Sequence, residues 1–318
     1  MAELNLGKIG VLMGGPSTER EISFKSGNAV YEALRRQGIE AVSIDITTDN
    51  PEDNFGLITS FGIDCAFLAL HGRFGEDGTI QELLERMGIP YTASGVQASK
   101  LAMDKIASRR LFIEAGLSVP LCLVLNRNTY TRSDTDKLKL PLPVVVKPAS
   151  HGSSIGLSIV DRKEELSAAI EIAFRYDERI LVEEYIRGRE ITVGILDEQA
   201  LPVIEIMPHK RFFDYEAKYK AGLTEYIVPA VLASEVVTEA QRAGITAHRS
   251  LGCFGCSRVD MLLDEKNRPF VLELNSIPGL TPTSLLPKAA KAAGIDFFQL
   301  CVTLIKLAYE RTKAGLSR

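Results

Sequence analysis

Apolar and polar residues alternate through Arg258 to Asn275 on both sides of a turn, and this period of two predicts a β-hairpin. A two-residue turn at Lys266-Asn267 sets its register, because asparagine tolerates positive φ there. The register places Asp260 opposite Glu273 and Arg258 opposite Asn275, and turns Val259, Met261, Leu263, Leu272 and Leu274 to the other face. Two facing carboxylates repel unless a cation lies between them, so the polar face reads as an oxygen-rich Mg²⁺ site. Arg258 beside it is a donor for a phosphoryl group or an oxyanion. The plainer reading of the same pattern is the solvated outer face of an edge hairpin.

Along the rest of the chain, strand-like and helix-like periods succeed one another. KIGVLMGG predicts a buried strand, and Thr18-Glu19-Arg20-Glu21 a capping box that opens a helix running to Gly38. EAVSIDI and DCAFLAL read as strands, and TIQELLERMG as a short amphipathic helix stopped by Gly88. Residues 1–104 therefore form an open α/β domain with a largely parallel sheet, and its loops GGPSTERE and HGRFGEDG lie at carboxyl ends of strands, where ligands sit. LAMDKIASRRLFIEAG reads as one helix. In residues 105–186, the strands PVVVKPA, LSIV and ERILVEEYI surround the helix RKEELSAAIEIAFRYD in a compact α+β module, and TRSDTDK, 131–137, is an exposed loop. Residues 187–318 hold the strands ITVGIL and LPVIEIM, a polar, aromatic-rich loop at 209–226, a helix near 234–251, the hairpin and two final helices.

At 318 residues the length suits two or three domains. With 46% hydrophobic and 25% charged residues and a net charge of −4, nothing suggests attraction to nucleic acid or to a membrane surface. No apolar run approaches the ~18 residues of a membrane span and no leader pattern opens the chain, so a cytoplasmic location is expected. Five cysteines fit reduced thiols. Cys253 and Cys256, with His248 nearby, have a spacing that can bind zinc or cycle redox, but no second pair exists and packed thiols are the simpler account.

Candidate chemistry gathers at two further places. Lys147 ends the run VVVK, and Ser150-His151-Gly152-Ser153-Ser154-Ile155-Gly156 follows, small residues whose backbone amides can close over phosphate oxygens. The GK[ST] ending of a Walker loop is absent, and such a loop alone is as well explained by an ordinary hairpin. Glu183-Glu184-Tyr185-Ile186, before Arg187-Gly188-Arg189-Glu190, offers a strand end for an adenine and an acid for a ribose hydroxyl, or else a charged turn.

Taken together, GGPSTEREIS, ALHGRFGEDG, MDK at 103–105, VVKPASHGSSIG, EEYIRGRE, DYEAKY, RVD, LELNSIPGLTPTS and PKAAKAAG occur in an order that closely resembles the D-alanine–D-alanine ligase family of the ATP-grasp carboxylate–amine ligases, over essentially the full length. The resemblance implies an ATP-grasp fold of three parts, 1–104, 105–186 and 187–318, with 209–226 as a closing loop. It implies ATP-dependent joining of two D-alanine molecules through a D-alanyl phosphate, for peptidoglycan precursors in a bacterial cytoplasm, by a homodimer. Asp260, Glu273 and Asn275 would hold two Mg²⁺ ions, Glu273 bridging and Mn²⁺ able to substitute. Lys105, Lys147, Ser153, Ser154 and Lys218 would hold ATP phosphates, Glu183, Tyr185 and Ile186 the adenine, and Glu190 the ribose. Glu19 and His71 would meet the first D-alanine, Arg258 and the Gly279 amide the oxyanion, and Ser284 with the Leu285 amide the second carboxylate. Tyr219 would link to Ser153 and Glu19 and favour an amine acceptor over a hydroxyl. Two rivals share parts of the pattern, an ATP-grasp ligase for other substrates and an ATP-binding regulatory module. The first is opposed by GGPSTERE, HGRFGEDG and DYEAKY, the second by the presence of Glu19, Arg258, Gly279 and Ser284.

Overall fold

In the first sheet, strands β1 (Ile9–Gly14), β2 (Ala41–Ile46) and β3 (Cys65–Leu68) run parallel in the order β2-β1-β3. Every residue of β1 is buried, as an unbroken apolar run between helix layers requires. The computed structural model describes residues 6–131, 134, 140–152, 154–209 and 222–313. Helices α1 (Arg20–Arg36), α2 (Pro51–Phe61) and α3 (Thr79–Met87) connect and cover this sheet. The predicted capping box does not form. Glu19 is the N-cap of α1 but makes no capping bond, and it is the Ser17 hydroxyl that accepts the Glu19 amide at 3.2 Å. The Glu19 side chain lines a cavity described below.

The stretch read as one helix is two, α4 (Val96–Met103) and α5 (Lys105–Glu114). Asp104 breaks it: the carboxylate caps α5 through the amides of Ile106 and Ala107 (2.9 and 3.1 Å) and accepts from Arg179 at 2.8 Å. Lys105, the first residue of α5, donates its amide to Ala149 at 3.0 Å, which fixes it beside the glycine-serine loop.

The second sheet is antiparallel, with β4 (Cys122–Asn126), β5 (Val144–Pro148), β6 (Ser158–Val160) and β7 (Arg179–Glu184) in the order β4-β7-β5-β6. Helix α6 (Leu166–Phe174) closes one face over Val144, Val146, Ile180 and Val182. The third sheet runs β11-β10-β8-β12-β13, from β8 (Gly188–Leu196), β10 (Ile204–Pro208), β11 (Thr224–Ile227), β12 (Cys256–Asp264) and β13 (Pro269–Asn275), with β9 (Gln199–Ala200) on β8. Helix α7 (Ser234–Ser250) lies against it through Ala240, Ala243, Gly244 and Ala247, a small-residue face that admits close approach to Val193. Helix α8 (Leu285–Ala292) and helix α9 (Phe297–Lys313) return to the first sheet, where Leu300, Leu304 and Ile305 share a core with Ile9, Val11 and Phe67. Among the described residues no single helix is long and apolar enough to cross a membrane.

The hairpin is β12–β13, and its register is as expected at the chemistry: Asp260 faces Glu273 and Arg258 faces Asn275. Its turn is not. The amide of Asn267 bonds Asp264 at 2.8 Å and Asn267 takes φ 59°, giving a three-residue loop one position longer than read. A bulge between Asp260 and Met261 absorbs the shift, since Met261 pairs with Val271 and Leu272 is the extra residue. Leu272 therefore does not join the core face with Val259, Met261, Leu263 and Leu274. Val271 takes that place, and Leu272 lines the cleft.

Candidate active site

Two cavities meet across the β12–β13 hairpin. The first, about 450 Å³, lies between the second and third sheets and includes Lys105, Lys147, Ser154, Glu183, Tyr185, Ile186, Glu190, Asp260 and Glu273 in its lining. Val145, Ile159, Leu262, Leu272 and Met207 give it apolar walls, and the 183–186 strand end crosses its edge. An apolar slot with convergent polar groups suits a planar ring bearing a charged tail. The second, about 420 Å³, has Glu19, His71, Gly152, Arg258, Asn275, Gly279, Ser284 and Leu285 among its lining residues. Every expected site residue that the structure describes thus falls in one of two adjoining cavities. Ser153, Lys218 and Tyr219, with most of the 209–226 loop and most of TRSDTDK, lie outside the described residues.

In the first cavity the positive charges are held by fixed acids. Lys147 Nζ sits 2.7 Å from Glu183 Oε2, and Arg109 approaches Glu183 Oε1 at 3.6 Å. Burial would push the Lys147 pKa down, but Glu183 and Glu273 outweigh it and hold the ammonium above the ordinary lysine value, so it is charged at neutral pH. Lys105 Nζ donates to the His151 carbonyl at 2.9 Å and pairs with Glu273 Oε2 at 3.2 Å, tying the loop to the hairpin. Burial, with Arg73 and Lys105, lowers the His151 pKa against an opposing Asp177.

Asp260 accepts four side-chain hydrogen bonds. Arg258 grips it through Nε to Oδ1 and through its terminal nitrogen to Oδ2, both 2.8 Å, while Thr192 Oγ1 donates to Oδ1 at 2.6 Å and Asn275 Nδ2 to Oδ2 at 3.1 Å. The facing carboxylates are thus neutralised by Arg258 and Lys105. Asp260, Glu273 and Asn275 form a set of oxygen-bearing side chains on one face, which fits a hard divalent cation. Among the described residues no cluster of three or more His, Cys, Asp or Glu side chains has metal-holding spacing, so the set is two carboxylates and an amide.

In the second cavity, Glu19 and His71 are both nearly buried. A side chain at Gly72, which takes φ +72°, would meet Glu19 Oε2 at 2.8 Å, so only glycine lets this loop pass the carboxylate. Gly279 stands close to Ser284 as well, though less tightly: a Cβ there would lie 3.1 Å from its Oγ. Ser284 is the N-cap of α8 without capping it, and its hydroxyl accepts the Thr281 amide at 3.1 Å and meets Thr281 Oγ1 at 2.8 Å. A helix N-terminus beside the cavity favours a carboxylate there.

Sequence reasoning missed Thr192, which lies opposite Asp260 on β8, together with Tyr226 and Glu76 in the second cavity and the Arg189–Glu205 pair in the first. Thr192 carried a readable signal, a polar residue inside the otherwise apolar ITVGIL. The CFGC motif is not in either cavity: Cys253 and Cys256 are buried and burial pushes both thiols up to about 12, so they are packing residues.

The family models described as D-ala D-ala ligase N-terminus and C-terminus match residues 8–59 with 51–94 and residues 111–306. The D-alanine–D-alanine ligase of Geobacter sulfurreducens is 50% identical over 299 residues, covering 94% of this chain and 93% of its own. That of Geotalea uraniireducens is 49% identical over 306 residues, 96% and 97% of the two chains. Among solved structures, the Bacillus anthracis D-alanine–D-alanine ligase complexed with ATP superposes with a TM-score of 0.85 at 37% identity, covering 97% and 99% of the chains. VanG D-Ala:D-Ser ligase from Enterococcus faecalis gives 0.81 at 33% identity, covering 95% and 99%. With both family models matched in order and close relatives along nearly its whole length, this chain belongs to the D-alanine–D-alanine ligase family, with the ATP-grasp fold.

Proposed function

We propose that this protein joins two D-alanine molecules into D-alanyl-D-alanine, with one ATP converted to ADP and phosphate, to supply peptidoglycan precursors in the cytoplasm. The observation that carries this reading is the pair of adjoining cavities sharing one hairpin, with Asp260 and Glu273 facing one and Arg258 and Asn275 facing the other. A phosphoryl group in the first cavity is within reach of an amino acid in the second.

The first D-alanine binds with its ammonium at Glu19 and its carboxylate toward the hairpin, near His71. A carboxylate oxygen attacks the γ-phosphorus, the bond to the β,γ-bridging oxygen breaks, and ADP leaves. Lys105 and Lys147 hold the phosphates, as their charged positions in the cleft support. Backbone at 153–154 and Lys218 complete this set, while Glu183, Tyr185 and Ile186 surround the adenine and Glu190 takes the ribose. Asp260, Glu273 and Asn275 would hold Mg²⁺, which when bound supplies charge neutralisation on the phosphate oxygens.

The amine of the second D-alanine, whose carboxylate rests on Ser284 and the Leu285 amide, then attacks the acyl carbon. The new oxyanion is met by Arg258 and the Gly279 amide, each such donor being worth ~3 kcal/mol in rate. Phosphate departs with its bonding electrons and the amine loses a proton. Tyr219 would link to Ser153 and Glu19 and favour the amine acceptor, and closure of the 209–226 loop would keep out water, which would hydrolyse the acyl phosphate. A homodimer is the proposed assembly, checked by light scattering. The test of the reaction is mass spectrometry after incubation with ATP, Mg²⁺ and D-alanine: the dipeptide with stoichiometric ADP is expected, and folded protein giving no dipeptide would refute the reading.

A further inference from the structure

Helix α1 sends two fully buried serines toward the site, Ser23 and Ser26, and their hydroxyls are used differently. Ser23 Oγ accepts the Gly14 amide at 2.8 Å and donates to the Ala69 carbonyl at 2.7 Å, a closed account between backbone groups. Ser26 Oγ accepts the Leu280 amide at 3.3 Å and lies 3.0 Å from His71 Nε2. It therefore bridges two loops of the amino-acid cavity, one carrying His71 and the other carrying Gly279. The His71 backbone is held as well, because the Ser17 hydroxyl donates to its carbonyl at 2.6 Å.

Proton accounting fixes the tautomer. A hydroxyl offers one proton and two lone pairs, and a buried O–H without an acceptor loses its hydration with nothing in return. If His71 Nε2 carried the hydrogen, Ser26 Oγ would accept twice and its own proton would have no partner among the described residues. With the Ser26 hydroxyl donating to Nε2, the buried serine proton has its acceptor, and neutral His71 keeps its hydrogen on Nδ1. That nitrogen faces Glu76, whose Oε1 is 3.7 Å away, and both residues line the amino-acid cavity.

We propose that Ser26 is a positioning residue for acyl transfer: it fixes His71 as the Nδ1–H tautomer, so that a donor is presented toward the first amino acid, and ties it to the Leu280 amide beside Gly279. The kinetic part of this inference rests on the ligase reading; the tautomer does not. The Glu19, Ser26 and His71 sides of the cavity then move as one unit with the 277–284 loop, and loss of the Ser26 hydroxyl loosens both amino-acid subsites while the nucleotide cleft is untouched.

The experiment is ¹⁵N NMR of histidine-labelled protein, in which the chain's four imidazoles are few enough to separate and His71 is identified by its loss in His71→Gln. The wild type should show His71 with a protonated Nδ1 and an unprotonated Nε2, and Ser26→Ala should show a mixture of tautomers. In parallel, Ser26→Ala should raise KM for D-alanine and lower kcat, together about tenfold or more in kcat/KM, with KM for ATP and the denaturation midpoint nearly unchanged. Wild-type His71 protonated on Nε2 would overturn the proposal without touching the ligase reading. So would a Ser26→Ala enzyme with D-alanine kinetics and imidazole signals like the wild type. A protein that makes no dipeptide under any condition would remove the ligase reading and leave the NMR result to decide the tautomer.

Discussion

Asp260 illustrates how much one side chain can carry before any ligand is bound. Its two oxygens accept from Arg258 twice, from Thr192 and from Asn275, whereas Glu273 pairs with Lys105 at 3.2 Å. From facing carboxylates alone, removal of either charge would relieve repulsion and leave the metal-free protein as stable as before or more so. The bidentate Arg258 reverses that expectation for Asp260, because a nearly buried guanidinium then loses its counter-charge. Asp260→Asn should cost about 1–3 kcal/mol in urea denaturation without nucleotide, and Glu273→Gln clearly less. Both should abolish dipeptide synthesis while leaving ADP binding measurable by calorimetry, since the apolar slot and the 183–190 edge remain. Equal stability of the two variants would show that Arg258 does not depend on Asp260. At this scale the sequence was most legible: alternation about an assumed turn brought Asp260 to Glu273. It reached the right pairing through a turn placed one residue short, because a bulge at Leu272 leaves no trace in hydrophobic periodicity.

At the scale of elements, the break between α4 and α5 does more than end a helix. Asp104 caps α5, pairs with Arg179 of β7 and sets Lys105 at the cleft, and despite partial burial the Arg179 bond and the two capping amides hold its carboxyl below the usual range. Asp104→Ala should cost about 1–2 kcal/mol and raise KM for ATP, while Asp104→Asn, an equally good cap, should lose only the Arg179 charge pair. Identical losses in thermal denaturation would mean that capping contributes nothing. A second element contact responds to pH. His248, at the end of α7, shares a 2.7 Å hydrogen bond with Ser257 of β12, and burial, aided by Arg249 against an opposing Glu198, pushes its pKa down to about 4. An unfolded histidine titrates near 6.5, so between these values the unfolded chain binds the extra proton. The contribution is complete above about 6.5 and lost as pH falls toward 4, up to ~3 kcal/mol at about 1.4 kcal/mol per unit. His248→Gln should flatten that part of the stability profile, and an unchanged slope would assign it to carboxylates. The helix break was illegible in the sequence because MDK sits inside a run with helical periodicity on both sides. Strand β4 escaped notice for a related reason, since exposed Leu123 and Val124 on a sheet edge blur the alternation.

Across the whole molecule, the proposed nucleotide cleft is built from the second and third sheets, whereas the proposed amino-acid cavity needs the first sheet's loops against the third sheet's hairpin. The proposed parts 1–104, 105–186 and 187–318 are therefore not equal partners in each step. What holds the first part to the third is only partly visible in sequence, for α9 returns to the first sheet from the far end of the chain. Near its end Arg311, almost wholly buried, donates to the Ala93 carbonyl at 2.7 Å, stacks on Tyr91 at 3.8 Å and reaches Phe254, just before β12, at 5.8 Å. A charged residue in a late amphipathic helix gives no hint of such a clamp. Arg311→Met should keep much of the packing volume but leave the carbonyls of Ala93 and Tyr91, which accept from Arg311 at 2.7 and 3.4 Å, short of a donor, costing about 1–3 kcal/mol. Its functional effect should be unequal. If the clamp sets the distance from Glu19 and His71 to Arg258 and Asn275, KM for D-alanine should rise severalfold while KM for ATP stays near the wild-type value. Steady-state kinetics with each substrate varied in turn decides this. A parallel rise in both constants, or in neither despite the lost stability, would mean that the two cavities do not depend separately on how the first sheet is held.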